Sequence, residues 1–185
     1  MRIQPNDFRN PLPGTVLLHA PAIAKRVRAL GAEITSDYAG KQPLVVGVLK
    51  GASIFHSDLV RAIALDVACD FIAVESYGTA TSTSGEIRLL KDLDRSLAGN
   101  DVLLVEDIVD TGLTLDFLLR HLGTRAPKSL KTAVLLDKKA RRRIEVPIDY
   151  AGFDVPDAFI VGYGLDCAGR YRNLPDIRVV GARDA

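Results

Sequence analysis

A chain of 185 residues holds one substantial core and is short for two. Hydrophobic residues make up 48% of it and charged residues 25%, which excludes a disordered chain. Its 24 Lys and Arg against 23 Asp and Glu leave a formal charge of +1, so no general electrostatic case exists for a nucleic-acid or membrane partner.

Cys69 and Cys167 are too few for a disulfide scaffold or a four-cysteine zinc site. Both sit in apolar stretches of sequence, which predicts reduced, structural thiols. The opening MRIQPNDFRNPLPG carries charges and prolines where a secretory leader needs an apolar core. The longest apolar runs are strand-sized, well short of the ~20 residues of a membrane helix. A cytoplasmic, single-domain protein spanning residues 1–185 is the expectation.

Residues 1–14 read as an irregular lead-in, followed by a short strand in TVLLH. A helix follows, with Pro21 in its first turn, Ile23, Val27, Leu30 and Ile34 on one stripe, and Gly40 at its exit. PLVVGVLKG at 43–51 is an almost unbroken apolar run, as in a strand covered on both faces. Phe55, Leu59 and Ile63 mark the buried face of a short helix, and DVACDFIAVESY at 66–77 is again strand-like. The polar stretch SYGTATSTSGE at 76–86 separates it from a returning strand in IRLLKDL.

The clearest unit is DVLLVEDIVDTGLTLDFLLRHLG at 101–123. Val102 to Val105 form a buried strand, Asp107 to Gly112 a turn, and Leu115, Leu118, Leu119 and Leu122 one face of a helix. SLKTAVLLDK at 129–138 and AFIVGYGLD at 158–166 are further strands. Strands alternating with helices predict an α/β fold with a mostly parallel central sheet flanked by helices.

Ligands of such sheets bind beyond the carboxyl ends of the strands. Four polar clusters fall at those predicted ends: Lys50-Gly51, Glu106-Asp107 with Asp110, Asp137-Lys138, and Asp166. Asp110-Thr111-Gly112-Leu113-Thr114 lies between strand and helix, where outward N–H groups and two hydroxyls can cradle a phosphate. An ordinary capping turn, with Asp110 as N-cap, is the alternative. Adjacent carboxylates at Glu106 and Asp107 repel unless a cation or donors neutralise them. If the strand ends there, both can bend toward a sugar diol. A diol acceptor beside a phosphate nest describes a phosphorylated pentose.

VLLVEDIVDTGLTL at 102–115 resembles the 5-phosphoribosyl-1-pyrophosphate (PRPP) motif of the type I phosphoribosyltransferases. LKG at 49–51, SYG at 76–78, LLDK at 135–138, PDAFIVGYGLD at 156–166 and RYRNLP at 170–175 follow in the order found in the bacterial hypoxanthine-guanine branch of that family. The resemblance implies a small hood built from terminal segments, transfer of the phosphoribosyl group to a 6-oxopurine, and Mg²⁺ as cofactor. It places Glu106 and Asp107 on the ribose hydroxyls, and Asp110, Thr111, Gly112, Leu113 and Thr114 around the 5′-phosphate. Asp110 becomes the proton-handling residue near N7 of the base.

The same resemblance assigns Lys50, Gly51 and Arg172 to pyrophosphate, with a cis Lys50–Gly51 peptide. Lys138, Phe159 and Ile160 go to the purine, and Asp166 joins Glu106 and Asp107 near the metal. Ser76, Tyr77 and Gly78 begin a mobile loop that closes over PRPP. A homodimer or homotetramer is implied, with no nucleic acid and no membrane.

Two departures stand out: Leu113 replaces a lysine of some relatives, and Cys167-Ala168 an aromatic-containing stretch. The rest of KKARRR at 138–143 reads as a solvated basic face. No G-x-G-x-x-G follows an early strand, no P-loop is present, His19, His56 and His121 form no H-E-x-x-H, and Ser53 lies in GASIF. A nucleotide-sensing RNA-binding regulator on the same fold is the reading from another class. The nearer enzymatic rival is a xanthine-guanine phosphoribosyltransferase.

Overall fold

Burial on two faces organises the sheet. The computed structural model describes residues 12–79 and 82–181, with backbone alone at 76–79 and 82–86. Most of the expected lead-in at 1–14 lies outside the described residues. In chain order the elements are β1 (Thr15–Leu18), α1 (Ala20–Asp37), β2 (Leu44–Leu49), α2 (Ser53–Ala62), β3 (Ala68–Thr79) and β4 (Ser82–Lys91). They continue with β5 (Asp101–Val109), α3 (Leu113–Gly123), β6 (Ser129–Asp137), a 3-10 turn (Lys139–Arg141), β7 (Tyr150–Asp154), β8 (Ile160–Val161) and β9 (Ile177–Val179).

Six strands form the central sheet in the order β4-β3-β2-β5-β6-β7. All pairings are parallel except that of the edge strand β4 with β3. Alternation along β2 and β5 sends Val45, Leu103 and Val105 into a core with α1 and α2. Leu44, Val46, Val102 and Leu104 meet Leu115, Leu118 and Leu122 of α3 on the other face. Both faces are covered, which is why these strands read as unbroken apolar runs.

The hood is the antiparallel sheet β1-β9-β8. It is tied to the core where Asp176 Oδ1 accepts from the N–H of Ala20, at 2.8 Å, in the first turn of α1.

Several expectations are corrected. AFIVGYGLD contributes only Ile160–Val161 as strand, and in the hood, so Asp166 does not end a strand of the parallel sheet. The sheet edge is instead YAGFD, whose five residues, interrupted by Gly152, carry too weak a pattern to single out. β5 continues through Val109 rather than stopping at Val105. The backbone of 76–79 and 82–86 extends the β3–β4 ladder, with Ser76 opposite Ile87 and Thr79 opposite Ser82. The tip of the expected mobile loop, Ala80 and Thr81, and the side chains of Ser76 and Tyr77 lie outside what is described, and Gly78 is described by its backbone. Cys69 is exposed rather than packed in the core, because alternation at the start of β3 buries Asp70 instead.

Candidate active site

Three of the four polar clusters meet at the carboxyl edge of the parallel sheet: Lys50 follows β2, Asp110 follows β5, and Lys138 follows β6. At the end of β5 opens a cavity of about 190 Å³, lined by residues 106–112, Thr114 and Leu115. Leu113, the fifth member of the expected phosphate turn, does not line it. Its N–H lies 3.4 Å from Thr111 Oγ1.

Gly112, with φ of +87°, is the N-cap of α3, so Asp110 does not cap the helix. That left-handed conformation is strained for any residue with a Cβ. A Cβ there would also stand 2.3 Å from the carbonyl oxygen of Ile144.

Glu106 is buried, and its Oε2 has no hydrogen-bond partner among the described residues. Burial, with Asp107 alongside, holds its carboxyl well above the ordinary carboxylate range. Burial also pushes Asp107 up to about 6, against the opposing pull of the Ile108 N–H and of Arg172. Two carboxyls poor in compensating donors at the floor of a cavity describe a site awaiting hydroxyls or a cation. The strand runs on through Val109, and both side chains nonetheless line the same cavity. Asp107 Oδ1 accepts from the N–H of Ile108 at 2.8 Å, while its Oδ2 lies against Gly51.

That approach explains Gly51: a Cβ there would fall 1.7 Å from Asp107 Oδ2. Gly51→Ala is therefore expected to displace the carboxylate rather than unfold the chain. Turnover should fall by about 10- to 100-fold with little change in Tm. Steady-state kinetics beside a thermal melt check this; a large loss of Tm would place the strain in the fold instead. The cis peptide in this loop joins Leu49 to Lys50, one bond earlier than expected. Lys50 itself is exposed, and its carbonyl accepts from Ser53 Oγ at 2.8 Å.

The segment after β8 comes up against the Gly51 loop. The backbone at Gly164 approaches Gly51 so closely that a Cβ would sit 2.1 Å from the Gly51 carbonyl oxygen. Arg172 donates to the Gly164 carbonyl at 2.6 Å and pairs with Asp166 Oδ1 at 2.6 Å. Asp166 Oδ2 also accepts from the N–H of Gly169, at 2.7 Å. No group of three acidic, His or Cys side chains among the described residues could hold a metal unaided.

Lys138 is only 6% exposed, and its ammonium donates to the Ala158 carbonyl at 2.9 Å. Its main-chain N–H donates to the Val109 carbonyl at 2.9 Å, which joins the ends of β5 and β6. Beside Ala158, Phe159 is 51% exposed, a large apolar ring left uncovered next to a buried cation. Ile160 is buried in β8.

Of KKARRR, Lys139, Ala140, Arg141 and Arg143 are exposed, as expected of a solvated face, and Arg142 alone after Lys138 is tucked in, against Asp137. Lys139 pairs with Asp154 at 2.8 Å, and Arg141 pairs with Asp157 at 2.8 Å and lies 3.6 Å from Asp110 Oδ2. Arg142 is buried against Asp137 and donates from Nε to the Asp110 carbonyl at 3.2 Å. Asp137 and Arg142 are the residues at the site that sequence reasoning missed as partners. Their nearness depends on the chain doubling back after β6, which periodicity does not register.

The phosphoribosyl transferase domain model matches residues 14–168. A hypoxanthine-guanine phosphoribosyltransferase from Bacillus subtilis is 50% identical over 165 residues, covering 89% of this chain and 92% of that protein. One from Dictyostelium discoideum is 52% identical over 164 residues, covering 86% and 91%. The crystal structure of a hypoxanthine-guanine phosphoribosyltransferase from Bacillus anthracis superimposes with a TM-score of 0.87 at 45% identity, covering 92% of this chain and 100% of the other. Because the likeness runs through β1, the parallel sheet, the cavity and into the hood alike, the chain belongs to the phosphoribosyl transferase domain family.

Proposed function

We propose that the chain transfers the 5-phosphoribosyl group of PRPP to hypoxanthine or guanine, giving IMP or GMP and pyrophosphate, as a purine-salvage transferase. The observation that carries this reading is a cavity at 106–112 lined by both carboxyls, on the sheet edge where buried Lys138 follows β6 and donates to the carbonyl of Ala158, the neighbour of exposed Phe159. In the reaction the bond from C1′ to pyrophosphate breaks as the bond from C1′ to N9 of the base forms.

Glu106 and Asp107 accept the ribose hydroxyls. The backbone of 110–114, with the Thr111 and Thr114 hydroxyls, holds the 5′-phosphate. Lys50, Gly51 and Arg172 face the pyrophosphate. Asp110 takes the proton released from the purine at N7. Phe159 stacks on the base while Ile160 contacts it through the backbone. The hairpin that begins at Ser76, Tyr77 and Gly78 closes over PRPP and excludes water.

Lys138 decides the base. An ammonium only donates, so it pairs with an oxygen at C6 and leaves a 6-amino group without an acceptor. Mg²⁺ fits the carboxyls present, since it commonly takes one or two protein carboxylates together with substrate phosphate oxygens and water. Glu106, whose Oε2 has no partner among the described residues, and Asp107 would hold it, with Asp166 reached once its pair with Arg172 opens. Its contribution when bound is to offset the charge that builds on the departing pyrophosphate.

The whole chain is read as one phosphoribosyltransferase domain, working in the cytoplasm as a homodimer or homotetramer, without nucleic acid. No helix among the described residues is long and apolar enough to cross a membrane. The test is a competition series of hypoxanthine, guanine, xanthine and adenine at fixed PRPP and Mg²⁺. Nucleotide should form from the 6-oxopurines and not from adenine. No product from any purine would overturn the reading, and a preference for xanthine would move the chain to the neighbouring activity.

A further inference from the structure

Arg142 is a charged, largely buried side chain near the cavity that the scheme above leaves without a task. Its side chain is 9% exposed and faces Asp137, equally buried. Taking both charges out of water is costly, and apolar residues of like volume would often fill such a place at no loss of stability. What the guanidinium adds is geometry, because its donors form a rigid fork. One arm meets Asp137, the last residue of β6, and Nε meets the carbonyl of Asp110, the first residue of the turn.

The next two residues repeat the pattern. The N–H groups of Arg143 and Ile144 both donate to the Thr111 carbonyl, at 2.9 and 3.1 Å. A planar trans peptide points its N–H opposite to its C=O. Holding the Asp110 and Thr111 carbonyls on the side of the 142–144 segment therefore turns the N–H groups of Thr111 and Gly112 away from it. Both residues line the cavity. Successive N–H groups aimed to one side form an anion nest.

We propose that Arg142, anchored by Asp137, is a positioning residue that sets this nest for the 5′-phosphate before the ligand arrives. The proposal rests on the phosphoribosyltransferase reading and concerns the phosphate end of the ligand, not the base. Its test compares IMP with inosine, which differ only by that phosphate, by calorimetric titration of the full-length protein. Wild type, Arg142→Lys, Arg142→Gln and the double variant Asp137→Asn with Arg142→Gln are titrated in parallel, with thermal melts.

The advantage of IMP over inosine is expected to shrink about 10-fold or more in Arg142→Gln, with inosine affinity changed by less than about 3-fold. Arg142→Lys keeps the charge opposite Asp137 but not the fork, so it should fold normally and still lose most of that advantage. If Arg142→Gln does not fold, the double variant decides, since it leaves no buried charge unpaired. A folded Arg142→Lys or double variant with the wild-type ratio of IMP to inosine affinity would overturn the proposal. A wild-type protein that binds neither IMP nor PRPP would instead overturn the reading beneath it.

Discussion

Asp110→Asn is expected to lower kcat by about 10²- to 10³-fold while PRPP affinity stays within a few-fold of wild type. The structure separates the two roles of this residue by atom. Its main-chain carbonyl is held by Arg142, and the phosphate contacts assigned to the turn come mainly from backbone N–H groups that asparagine retains. Its carboxylate stands apart: Oδ1 is buried without a hydrogen-bond partner among the described residues, and Oδ2 lies 3.6 Å from Arg141. Asparagine has the same shape and cannot take a proton. Binding and turnover should therefore part company, which steady-state kinetics with calorimetry of PRPP binding will read. Near-normal turnover would remove Asp110 from proton transfer; an equal loss in both would make it a binding residue.

The parts of the site legible in the sequence are those written in consecutive residues. The 101–123 stretch shows a buried strand, a polar turn and an amphipathic helix within one window, and the structure returns β5, the cavity-lining turn and α3 in that order. Lys138 stood out because an apolar run ends on it, and Phe159 through the resemblance alone.

What was not legible depends on residues far apart in the chain. Gly51 reads as one more loop glycine until Asp107 is seen to occupy the space its Cβ would need. Arg142 looks like any member of a basic run until the 3-10 turn at Lys139–Arg141 folds it back onto a residue 32 positions earlier. Asp166 was placed at a sheet edge because the run before it is apolar. That run is buried in the hood instead, and the two burials leave the same signature in sequence.

The carboxyls at the cavity floor should trade stability for function in a way that pH exposes. In the folded, ligand-free protein both Glu106 and Asp107 hold their protons to higher pH than an exposed carboxyl does. Native protein therefore binds more protons than unfolded chain over that interval, and stability falls as pH rises through it. For Asp107 the interval runs from the ordinary value of 3.8 to about 6. For Glu106 it begins at 4.5 and extends upward, driven by burial first and by Asp107 second.

Above both intervals the penalty is fully present; at pH 4 it has largely gone. Glu106→Gln and Asp107→Asn remove the charge and keep the shape. Each is expected to raise the Tm of ligand-free protein by about 3–6 °C at pH 7.5 and to leave it almost unchanged at pH 4. Turnover should fall about 100-fold in the same variants, because the diol and the cation lose their acceptor. Saturating PRPP with Mg²⁺ should close the Tm gap, since only the wild-type carboxylates gain partners from the ligand. Melts at the two pH values, with and without ligand, check all of this. A variant less stable than wild type at pH 7.5 without ligand would mean that the buried carboxylates already have the partners they need.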